Sequence, residues 1–283
     1  MSSPSAPELT NPRAERVKAV RSLSGRSMRA RTGRFLVEGP QAVREVVRFA
    51  SVHELYLTVA AADRYGEVVS DARERGIPVH LASDEVLTAM SRDAQGVVAV
   101  ANVSSATLED VLAVRPTLVA ILASVRDPGN AGAVLRAADA AGADAVVLTL
   151  ESVDVHNPKV IRATAGSLFH LPVVTGVALD TVLEALRSAG VGILAADGTG
   201  EHDLDDLLDV AGRGTDRATD RGSAPDLAAP TAWVFGNEAW GLPAHELQLA
   251  DAVVRVPIRG QAESLNLATA AAVCLYASAR AQR

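Results

Sequence analysis

From Pro116 onward the chain alternates short, almost wholly apolar runs with longer segments whose apolar residues recur at helical spacing. Strands are expected at 117–123, ADAVVLTL (143–150), LPVVTG (171–176), VGILAAD (191–197), TAWVFGN (231–237) and DAVVRVPI (251–258). Helices are expected at about 131–141, PKVIRATAGSLF (158–169), LDTVLEALRSAG (179–190) and a last segment from about 264 to 281. Strands with little polar alternation imply a parallel sheet covered on both faces. Before residue 104 the pattern is shorter and more mixed. RFLVEG (34–39), HELYLTV (53–59), IPVHLAS (77–83) and GVVAVANV (96–103) read as strands, with helices at PQAVREVVRFA (40–50) and ADRYGEVVSDARERG (62–76). The organisation expected is α/β throughout: a flexible stretch over 1–12, a small domain over 13–103, a linker with helical character over 104–116, and a second domain over 117–283. GRGTDRATDRGSAPDLAAP (212–230) interrupts the second domain and reads as a mobile surface insertion.

Composition narrows the class. With 283 residues, 48% hydrophobic and 22% charged, the chain can build two real cores and is globular rather than disordered. The N-terminal residues lack the apolar centre of a secretory signal and no run of eighteen residues is apolar throughout, so a cytoplasmic protein without a membrane anchor is expected. A single cysteine, Cys274, excludes an intramolecular disulfide framework and a cysteine-based zinc site. It lies in AAAVCLYA and is expected to be a buried structural thiol, and no metal is expected.

Net charge of −7 argues against a nucleic-acid partner, but its distribution argues the other way. Arg13, Arg16, Lys18, Arg21, Arg26, Arg29, Arg31 and Arg34 face the single acid Glu15, which makes a basic arm suited to phosphates or, equally on charge alone, a solvated surface.

DPGNAGAVLRAADAAG (127–142) has the outline of a dinucleotide cradle, yet its glycine spacing departs from G-x-G-x-x-G and no ribose-binding acid ends the next strand. Taken alone, Gly129, Gly132 and Gly142 read as turn, packing and cap glycines. VFGNEAWGLP (234–243) and VRVPIRGQAESLNLATAAAVCLYASAR (254–280) also place polar loops directly after apolar strands. Together and in this order, the three segments resemble the three motifs of the SpoU branch of the SPOUT RNA methyltransferases. The N-terminal stretch RARTGRFLVEGP (29–40) is similar to the RNA-binding domain, like ribosomal protein L30e, that precedes the catalytic domain in members acting on ribosomal RNA.

The resemblance implies S-adenosylmethionine as cofactor, methylation of a ribose 2′-hydroxyl in RNA, 23S ribosomal RNA before tRNA, a homodimer, and a C-terminal trefoil knot, itself a rare topology. Carried over by position, the catalytic residues it implies are Asn130, Arg136, Glu238, Ser264 and Asn266. The cofactor residues are Leu150, Gly236, Asn237, Ile258, Leu265 and Leu267. Arg21, Arg26, Arg29, Arg31 and Arg162 are the RNA-binding candidates. Outside the motifs, Asn130 and Asn266 read as turn or cap residues and Ser264 as the N-cap of the last helix. Alanines 268, 270, 271, 272, 277 and 279 allow that helix to pack closely, against a partner chain or within its own. Ala239-Trp240 departs from the Gly-Arg found in many relatives. An RNA-binding protein that has lost its chemistry, and a nucleotide-dependent oxidoreductase, are the competing classes. The retained motif residues speak against the first and the missing fingerprint against the second.

Overall fold

A computed structural model describes residues 7–212 and 224–283. The chain divides into two compact units, one formed by Met1–Ser104 with Asp154–His170 and the other by Ser105–Val153 with Leu171–Arg283. Residues 1–6, and 213–223 within the expected insertion, lie outside the described residues.

The first unit begins with α1 (Glu15–Ser22), α2 (Arg26–Thr32), β1 (Arg34–Glu38), α3 (Pro40–Phe49) and β2 (Val52–Leu57). It continues through α4 (Val59–Arg64), α5 (Gly66–Glu74), β3 (Val79–Leu81), α6 (Asp84–Met90) and β4 (Val97–Asn102). Its sheet runs β1-β4-β2-β3, with β4 antiparallel to both neighbours and β2 parallel to β3. The basic arm is two short helices, which its charge pattern conceals. Val17, Val20 and Leu23 turn inward against Tyr56, Leu87 and Met90. Part of the stretch read as flexible is tied down, since Leu9 bridges to Ala82 and its amide donates to the Leu81 carbonyl at 3.0 Å. The helix expected over 62–76 begins earlier and breaks at Tyr65. Thr58 caps α4 by accepting from Ala61 N at 3.1 Å.

The second unit opens with α7 (Leu108–Ala113) inside the expected linker, started by a Thr107/Asp110 capping box. Then come β5 (Leu118–Leu122), α8 (Pro128–Ala141) and β6 (Ala145–Thr149). After α9 (Pro158–Thr164), which belongs to the first unit, follow β7 (Val173–Val177), α10 (Leu179–Ser188), β8 (Gly192–Ala196), β9 (His202–Asp203) and α11 (Leu204–Val210). The chain ends with β10 (Thr231–Phe235), α12 (Ala244–Leu247), β11 (Ala252–Arg255) and α13 (Leu267–Ala281). All seven strands are parallel, in the order β7-β6-β5-β10-β8-β11-β9. Every residue of β5, β6 and β10 is buried, as an apolar parallel strand requires. The chain winds outward from β5 through β6 to β7 and later fills the other side, so the strand order reverses between β5 and β10. In open α/β sheets a crevice beyond the carboxyl ends of the strands lies at such a reversal.

The segment 154–170 follows the helical periodicity only to Thr164. Ala165 (φ 52°) and Gly166 (φ 106°) take left-handed conformations, and a short 3-10 turn, Ser167–Phe169, follows. A Cβ on Gly166 would stand 2.4 Å from Glu45 Cγ, a distance no side chain tolerates without a shift. The segment completes the core of the first unit, with Phe35 against the rings of His156 (4.6 Å) and Phe169 (6.4 Å). Periodicity identifies the helix but not the core it serves.

Candidate active site

The carboxyl ends of β5, β6, β10 and β11 carry the loops of all three motifs. Asp127 caps α8 by accepting from Asn130 N at 2.8 Å, Pro128 fills the first helical position, and Gly142 (φ 77°) closes the helix. The bland reading of these residues therefore holds for Gly142. It does not hold for Asn130, because α8 starts three residues earlier than expected and Asn130 stands in its first turn.

Asn130 is the centre of a small polar cluster. Its Oδ1 accepts from Asn266 Nδ2 at 2.9 Å, and its Nδ2 donates to Glu238 Oε1 at 3.4 Å. Glu238 also accepts from the amides of Asp127 (3.1 Å) and Arg126 (3.3 Å). One residue from each motif is thus joined in a chain of hydrogen bonds across strand ends that are distant in sequence. Glu238 acts as a brace, its oxygens committed to three N–H donors. Asn266 has a double role, since its Oδ1 caps α13 by accepting from Ala268 N at 2.9 Å and Thr269 N at 3.3 Å. The cap is Asn266 and not Ser264, which is exposed and makes no side-chain hydrogen bond among the described residues.

The loop after β10 is built for close approach. Asn237 is buried, donates from Nδ2 to Ser124 O at 2.7 Å, accepts at Oδ1 from Ala239 N at 2.9 Å, and exchanges both backbone bonds with Gly241. A Cβ on Gly236 would lie 2.4 Å from the carbonyl carbon of Gly241 and 2.6 Å from Leu242 N, so only glycine fits. A second close passage sets Gly200 against Val253, Val254 and Arg255.

Leu150, Ile258 and Leu265 are 60%, 40% and 38% exposed, and Leu267 is half-buried. Leu150 directly follows β6, and the other three lie in the segment leading from β11 into α13. Apolar side chains without a partner beside a polar backbone loop suit a ligand with a flat apolar ring and polar edges. The residues present therefore fit the adenine and methionine parts of S-adenosylmethionine.

Arg136 is not brought to this cluster. Six residues beyond Asn130 is about 240° round α8 and about 9 Å along it. The side chain is exposed, without a hydrogen bond or ion pair among the described residues.

Of the RNA-binding candidates, Arg21, Arg26 and Arg31 are exposed and meet no acid among the described residues. Arg29 must be corrected. It is 5% exposed, its Nε and Nη2 donate to Asp154 at 3.0 and 2.6 Å, and Nη1 donates to the carbonyls of Leu23 and Ser24. A guanidinium so enclosed, with four of its five N–H groups engaged, holds the segment 154–170 to the first unit and is too buried to meet a phosphate. Arg162 is partly committed too, since its Nη1 pairs with Glu38 and Asp93. It lines a cleft of about 850 Å³ in the first unit with Arg21, Arg92 and Lys159. Of the remaining cations, Arg16 is bound by Glu54, Tyr56 and His80. Burial, with the hydrogen bond to Glu54, drives the Tyr56 hydroxyl well above its ordinary range. Cys274 is buried as expected, and burial pushes its thiol up to about 12. Ala271 and Ala277 lie on the buried face of α13, which packs on α8, so those two small residues serve an intramolecular contact. Sequence reasoning missed Arg126, whose guanidinium lies over the Trp240 ring; no motif contains it.

Among the described residues no helix is long and apolar enough to cross a membrane, and no group of three or more metal-ligating side chains is gathered.

Comparison with known proteins agrees with this geometry. Residues 117–276 match the model of the SpoU rRNA Methylase family, and residues 36–105 match that of the RNA 2′-O ribose methyltransferase substrate-binding domain. The chain is 30% identical to the 23S rRNA (guanosine(2553)-2′-O)-methyltransferase RlmP of Bacillus subtilis over 95% of this chain and 98% of that one. It is 31% identical to the 23S rRNA (uridine(2479)-2′-O)-methyltransferase of Streptomyces viridochromogenes, over 98% of this chain and 93% of that one. Among solved structures, AviRb from Streptomyces viridochromogenes in complex with the cofactor AdoMet superposes with a TM-score of 0.76 at 29% identity, covering 95% of this chain and 98% of that one. The chain belongs to the SpoU rRNA methylase family.

Proposed function

We propose that this protein transfers the methyl group of S-adenosylmethionine to a ribose 2′-hydroxyl of 23S ribosomal RNA, in the cytoplasm and as a homodimer. The observation that carries the reading is the Asn130–Glu238–Asn266 cluster, which joins the three motif loops at one sheet edge. The names of the relatives and the matched substrate-binding domain favour ribosomal RNA over tRNA. Residues 13–103, whose core 154–170 completes, are read as the RNA-binding domain and the remainder of 117–283 as the transferase, joined by 104–116. The close passage of Gly200 against Val253, Val254 and Arg255 supports a threaded C-terminal segment, which we read as a trefoil knot.

When bound, the cofactor supplies an electrophilic methyl on a sulfonium, and Leu150, Gly236, Asn237, Ile258, Leu265 and Leu267 are the residues that would hold it. The protein's own work is positioning. Glu238 and Asn266 fix Asn130, and Asn266 also fixes the start of α13. Arg136 stays protonated at any working pH and so acts by charge, orienting the hydroxyl and stabilising the negative charge that develops on its oxygen. Its solvent-facing position supports a site completed across the dimer. Val273 and Tyr276, 41% and 49% exposed on the neighbouring α13, support the same face as the interface. Ser264 is read as a substrate contact, which its exposure on the third motif supports.

Calorimetric titration with S-adenosylmethionine and with NAD separates this reading from an oxidoreductase. Heat is expected with the first alone, and its absence would overturn the proposal.

A further inference from the structure

The carboxyl edge of the second unit holds an aromatic residue that the chemistry above leaves unused. Trp240 is 54% exposed, whereas the other tryptophan, Trp233, is fully buried with its indole N–H bonded to Ser278. The Arg126 guanidinium stands 5.3 Å from the Trp240 ring centroid and 3.4 Å from Glu151 Oε2. Trp240 sits in the second motif, and Arg126 directly precedes the first. Arg126 N donates to Glu238, which precedes Trp240 by two positions. The loop beneath the indole is pinned by the Asn237–Gly241 pair and by the Ala239 amide on Asn237 Oδ1.

A lone surface tryptophan needs no explanation. This one sits on a hydrogen-bonded turn, has a cation over its ring and stands beside the motif loops. Single-stranded RNA is bound by such pairs, because every base has a π-face for an aromatic ring and every nucleotide a phosphate for a cation. On a chain of net charge −7, Arg126 pairs with Glu151 only at 3.4 Å and with both side chains exposed, a weak contact that an anionic backbone can replace.

We propose that Trp240 and Arg126 form a stacking platform for an unpaired base of the RNA substrate, next to the nucleotide that is methylated. The inference rests on the reading of the protein as an RNA methyltransferase. It gives the Ala239-Trp240 departure from relatives a role in substrate choice.

The test compares binding of the whole protein to a short unstructured oligoribonucleotide and to the same backbone carrying abasic sites, with S-adenosylmethionine titrated in parallel. The wild type is expected to prefer the base-bearing strand about tenfold, or about 1.4 kcal/mol. Trp240→Ala should abolish that preference, Trp240→Tyr should keep most of it, and S-adenosylmethionine should bind all three proteins alike. If Trp240→Ala keeps the wild-type preference, the platform is refuted. An abasic strand that binds the wild type as well as the base-bearing one refutes it too, and leaves only contacts to the RNA backbone. Failure of the wild type to bind S-adenosylmethionine would instead sink the methyltransferase reading, which the strand comparison does not measure.

Discussion

Asn266 is asked to do two things at once, and substitution can separate them. Its Oδ1 caps a fifteen-residue helix while its Nδ2 donates to Asn130 at 2.9 Å. Asn266→Ala removes both, costing about 1 kcal/mol for the cap and about 1 kcal/mol for the side-chain bond, so about 2 kcal/mol of stability in all. Asn266→Asp keeps an acceptor for Ala268 N and Thr269 N, and a carboxylate at a helix N-terminus gains roughly 0.3–1 kcal/mol from the helix dipole. It cannot donate to Asn130 and sets two acceptors against each other, a loss of about 1 kcal/mol. Its net stability should therefore lie close to wild type. Activity should not. With Asn130 released from the third motif, the rate of methyl transfer to ribosomal RNA should fall about tenfold or more, equivalent to about 1.4 kcal/mol of transition-state stabilisation. Urea denaturation measures the first quantity, and single-turnover transfer of labelled methyl the second. An Asp variant both as stable and as fast as wild type, within twofold, would show that Asn266 is only a cap and that the cluster does not position the site.

Four further outcomes follow from the same geometry. Arg136→Ala should leave the fold and S-adenosylmethionine affinity intact while kcat falls on the order of a hundredfold, and Arg136→Lys should restore little, since a point charge does not replace the planar fork. Replacing Arg21, Arg26 and Arg31 together should flatten the salt dependence of RNA binding by roughly 0.7 to 0.9 log units per lost phosphate contact. Arg29→Ala should instead cost about 3 kcal/mol of stability, the bottom of the range for a broken buried pair because Asp154 is 19% exposed, with the slope unchanged. Burial of His156, against the opposing pull of Asp154, lowers its pKa from the ordinary value of 6.5. Its contribution is thus complete above about pH 6.5 and is lost as pH falls through the lower folded value. Urea midpoints at pH 7.5 and 5.5 should converge in His156→Gln relative to wild type, and equal pH sensitivity would contradict this assignment.

The second sheet is legible because β5, β6 and β10 are buried on both faces and show no polar alternation to confuse the reading. The basic arm is not, because residues 15–22 and 26–32 are short helices with few inward residues, and charge dominates their pattern. Arg29 illustrates the limit most clearly. Nothing local distinguishes it from Arg26 or Arg31, and only Asp154, distant in sequence, decides that it is structural. The motif loops allowed the polar cluster to be anticipated by resemblance, but its wiring depends on three strand ends meeting at one edge, which no spacing reports. Arg136 shows the reverse case, a residue the motif marks and the single chain leaves unengaged.

Ribose methylation of ribosomal RNA is read out by mapping alkaline cleavage of unmodified 23S ribosomal RNA after incubation with the protein and S-adenosylmethionine. One phosphodiester should become resistant, because a methylated 2′-oxygen can no longer attack it, and Arg136→Ala should slow its appearance about a hundredfold. Methyl incorporation with no resistant linkage, or incorporation into tRNA alone, would contradict it.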